Sequence, residues 1–232
     1  AVATPKHFAA NSMENARFSV DVEIDERALR EVYLPHFKRC VDAGAGAVMS
    51  AYNKLNGIWA SENPGLLLGI LKGEWDFEGI VISDWDGTYS PNVANGGLDL
   101  EMPGPARWMG SDLLDAVEAG TVAIDLIDDK VRRLLTTIEK AGAFQRPTLE
   151  PEGGKDRPED RRLVRRAAGE AIVLLKNEGM LPLPAEGLGS IAVIGANARW
   201  SQIMGGGSSQ VTPHYRISPL DGIRGRAGDA VA

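Results

Sequence analysis

The sequence predicts an α/β protein in which short strands alternate with helices around a parallel sheet, followed by the start of a second α/β domain. Apolar, β-branched runs end abruptly in polar side chains, and segments with helical spacing follow them. Strands separated by helices pair in parallel. Residues 146–160, rich in proline, glycine and charge, are predicted to be a linker between residues 1–145 and residues 161–232.

Residues 1–145 contain the candidate strands of the first domain. AVAT leads to Lys6 and His7, a run around Ala47–Ser50 leads to Tyr52, GIVIS leads to Asp84, and a short run in GLDLEMPG contains Glu101. The carboxyl ends of parallel strands lie at one edge of a sheet, where α/β proteins carry their chemistry. The polar groups at these ends are therefore predicted to lie together.

Helices are predicted between and after these strands. Residues 25–43 have helical spacing, with Asp25 as the N-cap and Pro35 as a break. NPGLLLGILKGEW begins with an Asn–Pro pair, and SDLLDAVEAG and AIDLIDDKVRRLLTTIEKAG each end at glycine. In the second domain, RRLVRRAAGEAIVLLKNEG predicts a helix that runs into an apolar segment, and SIAVIGANA predicts a strand.

Composition excludes several classes of partner. The chain has 232 residues, a net charge of -7 and a pI near 5.1, so it offers no basic surface to nucleic acid or an anionic membrane. No apolar run approaches the length of a membrane span, which is about 18–20 residues. No His, Cys and Asp cluster has metal-ligand spacing, so neither a metal nor a cofactor is expected.

Asp84 is the strongest candidate for a reacting group. A carboxylate at the end of a central strand is held rigidly, which suits a nucleophile or a general base. Trp85 offers a flat apolar face on which a sugar ring or a base can lie. The alternative is that Asp84 caps the next loop and Trp85 belongs to the core. Asp86 and Gly87 form a turn signal, so Asp86 is expected to shape the loop.

Lys6 and His7 are the second candidate pair. At a strand end they could hydrogen-bond vicinal hydroxyls or a carboxylate, although a simple surface pair is an equal alternative. Glu14 and Arg17 stand three residues apart and are predicted to form a local ion pair that orders a loop. GGGSSQ lacks the Lys-Ser/Thr ending of a P-loop and IGANA lacks GxGxxG, so nucleotide binding is a weak alternative.

Together these segments resemble glycoside hydrolase family 3, a large family of exo-acting β-glucosidases and relatives. TPKHFAANSMENAR, GAVMSAYNKLNG, GIVISDWDG and GGLDLEMPG resemble its barrel motifs, in the family's order. AIVLLKNEGMLPLP, IAVIGANA and GGGSSQVTP resemble the opening of its second domain. The resemblance implies the C-terminal part of a (β/α)8-type barrel followed by the beginning of an α/β sandwich domain.

The resemblance also implies roles for individual residues. Asp84 would be the catalytic nucleophile of a retaining β-glucosidase that acts on β-glucosides, and needs no cofactor. Lys6 and His7 would bind hydroxyls of the sugar, and Glu14 and Arg17 would support their loop. Tyr52, Trp85 and Met49 would lie beside the nucleophile, along the wall of the sugar subsite and beneath it, respectively.

Other implications concern what lies beyond this sequence. The chain starts without Met, and we expect it to be an internal piece of a longer protein. In the glucosidase branch the acid/base Glu lies further along the second domain, so it is expected beyond Ala232, and the isolated chain is expected to be inactive. The AANSMENAR loop has no His, which disfavours the β-N-acetylglucosaminidase branch.

Several questions are left open by the sequence. A β-xylosidase or natural-product glycosidase of the same family, and a non-catalytic sugar-binding protein, remain alternatives. The sugar, the linkage, the compartment (cytoplasmic or secreted) and a homo-oligomer of the full-length protein are also undecided.

Overall fold

The computed structural model describes residues 1–146, 153–184 and 187–228, and the chain divides into two compact units, Ala1–Leu149 and Glu150–Ala232. The strands of the first unit are β1 Asp21–Val22, β2 Ala47–Met49, β3 Lys54–Leu55, β4 Ile58–Trp59 and β5 Ile80–Ile82. Its α-helices are α1 Glu26–Ala28, α2 Pro35–Asp42, α3 Val93–Gly96, α4 Ser111–Glu118 and α5 Ile124–Lys140. Within the predicted linker, residues 147–152 lie outside the described residues.

A parallel sheet forms the centre of the first unit. β2 and β5 pair in parallel, with Val48 opposite Val81. Parallel bridges from Phe8 to Ser50 and from Ile82 to Leu100 extend the pairing on both sides. Four chain segments therefore lie side by side in sequence order, which is the order of neighbouring strands in a barrel.

The two outer segments, AVAT and GLDLEMPG, form less regular strand than the sequence predicted. AVAT forms no regular strand: the carbonyls of Ala3 and Pro5 accept hydrogen bonds from the amides of Gly46, Ala47 and Met49. Pro5 has no N–H to return, so the ladder is one-sided until Phe8. The GLDLEMPG segment likewise pairs with β5 at only one bridge, at Leu100.

The helices around this sheet begin where the capping signals indicate. Asp25 Oδ1 accepts a hydrogen bond from the amide of Ala28 at 2.8 Å, and Asn63 Oδ1 accepts one from Leu66 at 3.0 Å. The predicted helix over residues 25–43 is interrupted, because a π-helical segment, Leu29–Tyr33, precedes α2, which starts at Pro35. The NPG helix is also π-helical, over Gly65–Glu74.

A small second sheet lies beside the main one. β1 pairs in parallel with β3, and β3 pairs with β4 in a tight hairpin. The hairpin turns at Asn56 and Gly57, with φ values of 51° and 87°. The Asn56 side chain also bonds the amide and the carbonyl of Ile24, at 2.9 Å each. This hairpin was not predicted, although an Asn-Gly pair between apolar residues is its usual signal.

The second unit contains helices but no regular strand among its described residues. Its helices are α6 Pro158–Ala171, α7 Ala196–Arg199 and α8 Pro219–Ala227. α6 ends at Ala171, where the apolar segment AIVLLKN begins, in agreement with the predicted helix. The strand predicted at SIAVIGANA was wrong, because this segment contains only a bridge residue, Ile191, before α7. A strand needs a hydrogen-bonded neighbour, and no described segment of this unit supplies a ladder for it.

Candidate active site

Asp84 lies two residues beyond the end of β5 and is 7% exposed. Its Oδ1 accepts a hydrogen bond from the amide of Trp85 at 2.7 Å, and its Oδ2 lies 3.0 Å from His7 Nε2. The carboxylate is thus oriented by one group on its own loop and another from a different segment of the sheet. A carboxylate held in this way has the fixed position that nucleophilic attack requires.

The His7 imidazole is the centre of a charged group of side chains. Burial lowers the pKa of His7, and the positive charges of Lys6 and Arg17 lower it further, whereas the carboxylates of Asp84 and Glu14 oppose the shift. Because the pKa falls below its usual value of 6.5, the imidazole is neutral near pH 7. A neutral imidazole can donate one hydrogen bond and accept another.

Tyr52 connects this group to the nucleophile candidate. Burial and the neighbouring Asp84 carboxylate raise the pKa of the Tyr52 phenol. The Arg17 guanidinium carbon lies 4.6 Å from the centroid of the Tyr52 ring, and the Phe18 ring lies 4.5 Å from it. Glu14 in turn pairs with Arg17 at 3.0 Å. The predicted Glu14–Arg17 pair is therefore present, and it packs against the site through Tyr52.

The remaining predicted residues have different environments. Trp85 is 47% exposed rather than part of the core, so its indole is accessible at the strand end. Met49 is buried within β2, and Lys6 is exposed. Asp86 has a φ of 61° and its amide donates to the Met102 carbonyl at 3.0 Å, as a turn residue would.

Several supporting residues were not identified from the sequence. The Tyr89 hydroxyl donates to the Tyr52 carbonyl at 2.8 Å, and its ring stacks on Trp59 with centroids 3.7 Å apart. Phe18 packs on Tyr52 as described above. These residues lie in loops and in the unpredicted hairpin, and no periodic pattern marks them. The sequence indicates a strand end at Glu101 but no role for its side chain.

The described residues contain neither a candidate metal site nor a helix that could span a membrane. In residues 1–146, 153–184 and 187–228, no group of His, Cys, Asp and Glu side chains could hold a metal ion. No helix in the same ranges is long and apolar enough to cross a membrane.

Parallel βα units with a carboxylate, an imidazole and an exposed indole at the strand ends define an α/β architecture of the barrel type. Comparison with known families extends this assignment. Residues 1–137 match the model for the glycosyl hydrolase family 3 N-terminal domain, and residues 172–231 match that for the family 3 C-terminal domain. The chain therefore belongs to glycosyl hydrolase family 3, and the predicted family is confirmed.

Individual relatives agree with this assignment. A β-glucosidase from Rhizobium radiobacter is 49% identical over 98% of this chain, and β-glucosidase B from Emericella nidulans is 46% identical over 99%. The crystal structure of DesR, a β-glucosidase from Streptomyces venezuelae in complex with D-glucose, matches the whole chain with a TM-score of 0.89 at 38% identity. This match confirms the predicted α/β fold class.

The match covers only part of each relative. The chain spans 28% of the length of both curated relatives and 32% of the DesR chain. β-Glucosidase 3B from Thermotoga neapolitana gives a similar result, with a TM-score of 0.90, 35% identity and 33% coverage of that chain.

Proposed function

We propose that this chain carries the nucleophile half of the active site of a retaining β-glucosidase, with Asp84 as the nucleophile. The observation that supports this most is the orientation of the Asp84 carboxylate by Trp85 and His7 at the end of a parallel strand, in a chain of family 3. The substrate class follows from the relatives, which are named β-glucosidases.

The proposed reaction has two steps. Asp84 attacks the anomeric carbon of a terminal β-D-glucosyl residue, forming an ester bond as the bond to the leaving oxygen breaks, and a carboxylic acid protonates that oxygen. The same acid, now a carboxylate, then removes a proton from water. The water attacks the anomeric carbon and releases glucose and the Asp84 carboxylate.

The surrounding residues have matching roles in this proposal. Lys6 donates to sugar hydroxyls, and the neutral His7, whose single N–H faces the Asp84 carboxylate, accepts a hydrogen bond from one of them. The exposed Trp85 indole forms an apolar wall for the sugar ring. Tyr52, whose pKa is raised, keeps its proton and lies beside the Asp84 carboxylate. Met49 packs under the site, and Glu14 and Arg17 hold the loop that carries His7.

The acid/base carboxyl is proposed to come from a later part of the second domain in the full-length protein. Retaining glycosidases place their two carboxyl groups about 5–5.5 Å apart. Glu101 is a poor candidate, because its oxygens are occupied by Thr88, Trp108 and Met109. This proposal predicts that residues 1–232 alone do not turn over aryl β-glucosides. We also propose that residues 1–145 form the barrel part, that residues 146–160 form a linker, and that residues 161–232 form the start of the second domain.

Mechanism-based labelling of the full-length protein tests the proposal. A 2-fluoro-β-glucoside should form a stable glycosyl-enzyme, and peptide mapping should place the sugar on Asp84. Asp84→Asn should remain unlabelled, whereas Asp86→Asn, which changes the neighbouring exposed carboxylate, should label normally. A sugar on any other residue, or normal labelling of Asp84→Asn, would overturn the assignment.

A further inference from the structure

Glu101 joins two loops at the edge of the candidate site. It is 5% exposed and lies one residue beyond the Leu100 bridge to β5. Its Oε1 accepts a hydrogen bond from the Thr88 hydroxyl at 2.5 Å. Its Oε2 accepts hydrogen bonds from the amides of Trp108 and Met109, at 2.8 Å and 2.7 Å. One buried carboxylate therefore ties the loop after Asp84, residues 85–91, to the loop over residues 102–110.

Further contacts close this connection. The Trp108 indole donates to the Thr88 carbonyl at 3.2 Å, so Thr88 is held through its side chain and its backbone. On the other side of Asp84, Ser83 Oγ accepts a hydrogen bond from the Met102 amide at 2.8 Å. The chain on both sides of Asp84 is thus hydrogen-bonded to residues 101–102, through Ser83 before it and through Thr88 after it.

Gly87, which lies between Thr88 and the loop residues next to Asp84, is closely packed against Asp84 and Tyr52. The Gly87 amide donates to the Asp84 carbonyl at 3.0 Å. A Cβ built on Gly87 would lie 3.1 Å from that carbonyl oxygen and 3.2 Å from Cδ1 of the Tyr52 ring. A displacement of Thr88 therefore moves Gly87 against both Asp84 and Tyr52, because close-packed groups of this kind transmit shifts instead of absorbing them.

A carboxylate is the group that this position requires. It accepts three hydrogen bonds through two oxygens and has no proton that would oppose a donor. Glutamine has a single accepting oxygen. If that oxygen stays on the Trp108 and Met109 amides, the NH₂ group faces Thr88, and the short charge-assisted bond to the hydroxyl is replaced by a weaker one.

We propose that Glu101 is a positioning residue for the nucleophile, acting through Thr88 and Gly87 on the orientation of Asp84 and Tyr52. The inference rests on the proposed role of Asp84. This role makes a prediction that a merely structural role does not. Weakening the hydrogen bonds of Glu101 should slow attack on the sugar without weakening sugar binding, because misplacement of a reacting group by about 1 Å can cost about 10²-fold in rate.

The test measures labelling by the 2-fluoro-β-glucoside in the full-length protein, with the inactivation constant and the binding constant determined separately. Glu101→Gln and Thr88→Val are each expected to lower the inactivation constant about 10-fold or more at unchanged binding constant. Because both substitutions weaken the same hydrogen bond between Glu101 and Thr88, the double variant should be no slower than the slower single variant. Glu78→Gln, at an exposed glutamate, is the matched control and should label like the wild type.

A second measurement separates the inference from the proposed function. Hydrogen exchange of peptides spanning residues 85–91 should be faster in Glu101→Gln and Thr88→Val, while peptides of β2 remain unchanged. Unchanged exchange in this loop, multiplied effects in the double variant, or an unaltered inactivation constant would each overturn the role of Glu101. A wild type that is labelled away from Asp84 would instead overturn the proposed nucleophile, whatever the loop does.

Discussion

His7 Nε2 lies 3.0 Å from Asp84 Oδ2, although 77 positions of sequence and a complete strand separate the two residues. Phe8, next to His7, bridges to Ser50 beyond β2, and the Ser50 amide donates to the carbonyl of Ile82 at the end of β5. The imidazole therefore reaches Asp84 across the end of β2. This contact exists because three parallel segments end at the same edge of the sheet.

Removing the Asp84 carboxylate should abolish turnover. In the full-length protein, Asp84→Ala is expected to lower kcat/KM for an aryl β-glucoside by about 10³-fold or more, because the covalent step is lost. Added azide should restore part of the rate by attacking the same carbon and giving a glycosyl azide. Asp86→Asn should stay within about a few-fold of wild type, since Asn also tolerates a φ near 61°. Full activity of Asp84→Ala would contradict the assignment.

His7 should make stability depend on pH. Because burial lowers the pKa of His7 in the folded protein, the unfolded chain binds more protons as the pH falls through 6.5. Its contribution to the free energy of unfolding is complete above pH 6.5, falls as the pH drops, and levels off below the folded pKa. The loss of Tm between about pH 7.5 and about pH 5.5 should therefore be smaller in His7→Gln than in wild type. His36→Gln, at an exposed histidine, controls for removal of an imidazole, and identical pH profiles of wild type and His7→Gln would refute the prediction.

Tyr52 should keep its proton in alkaline solution. Burial and the adjacent Asp84 carboxylate raise the pKa of its phenol, so the folded protein should gain no tyrosinate from this residue at about pH 10.5. Absorbance titration of wild type and Tyr52→Phe measures the difference directly, with near-UV circular dichroism to confirm that both remain folded. A tyrosinate signal that is smaller in Tyr52→Phe at this pH would show that the phenol ionises normally.

Breaking the buried ion pair between Lys72 and Asp99 should destabilise the folded protein. Lys72 Nζ lies 2.6 Å from Asp99 Oδ1, the two side chains are 6% and 0% exposed, and Asp99 Oδ2 also accepts the Val81 amide at 2.7 Å. Asp99→Ala leaves Lys72 without its carboxylate, so the free energy of unfolding should fall by about 3–5 kcal/mol. Urea denaturation followed by tryptophan fluorescence measures this loss. Glu78→Gln, which breaks the exposed pair with Lys140, should cost less than about 1 kcal/mol, and equal losses would argue against the burial effect.

Gly96 should not accept a side chain. A Cβ built there would lie 2.4 Å from the carbonyl carbon of Glu62, because α3 packs directly on the backbone of the turn over Ala60–Glu62. Gly96→Ala is expected to destabilise the protein by about 1–3 kcal/mol, as overpacking does. The matched control is Gly69→Ala in the neighbouring helix, where the nearest atom lies 3.7 Å away and the change should be neutral or stabilising. A Tm for Gly96→Ala equal to that of wild type would show that the turn yields.

The sequence predicted the main residues of the candidate site but not the residues that pack around them. Asp84 and the two central strands could be predicted from apolar runs that end in polar side chains, because burial and strand-end position both leave a local pattern. Tyr89 and Phe18 could not, because each depends on a contact with Tyr52 that only tertiary folding creates. In the second unit, propensity alone predicted a strand at SIAVIGANA, but a strand is fixed by its neighbours in the sheet.

The segment Asp99–Glu101 is held by its side chains as well as by backbone hydrogen bonds to β5. It has one bridge to β5, yet Asp99 anchors it to Lys72 on one side and Glu101 anchors it to Thr88 on the other. Residues 104–107, just beyond, are exposed. This short exposed stretch can therefore be varied in sequence while both of the acidic anchors that hold the preceding segment are left unchanged.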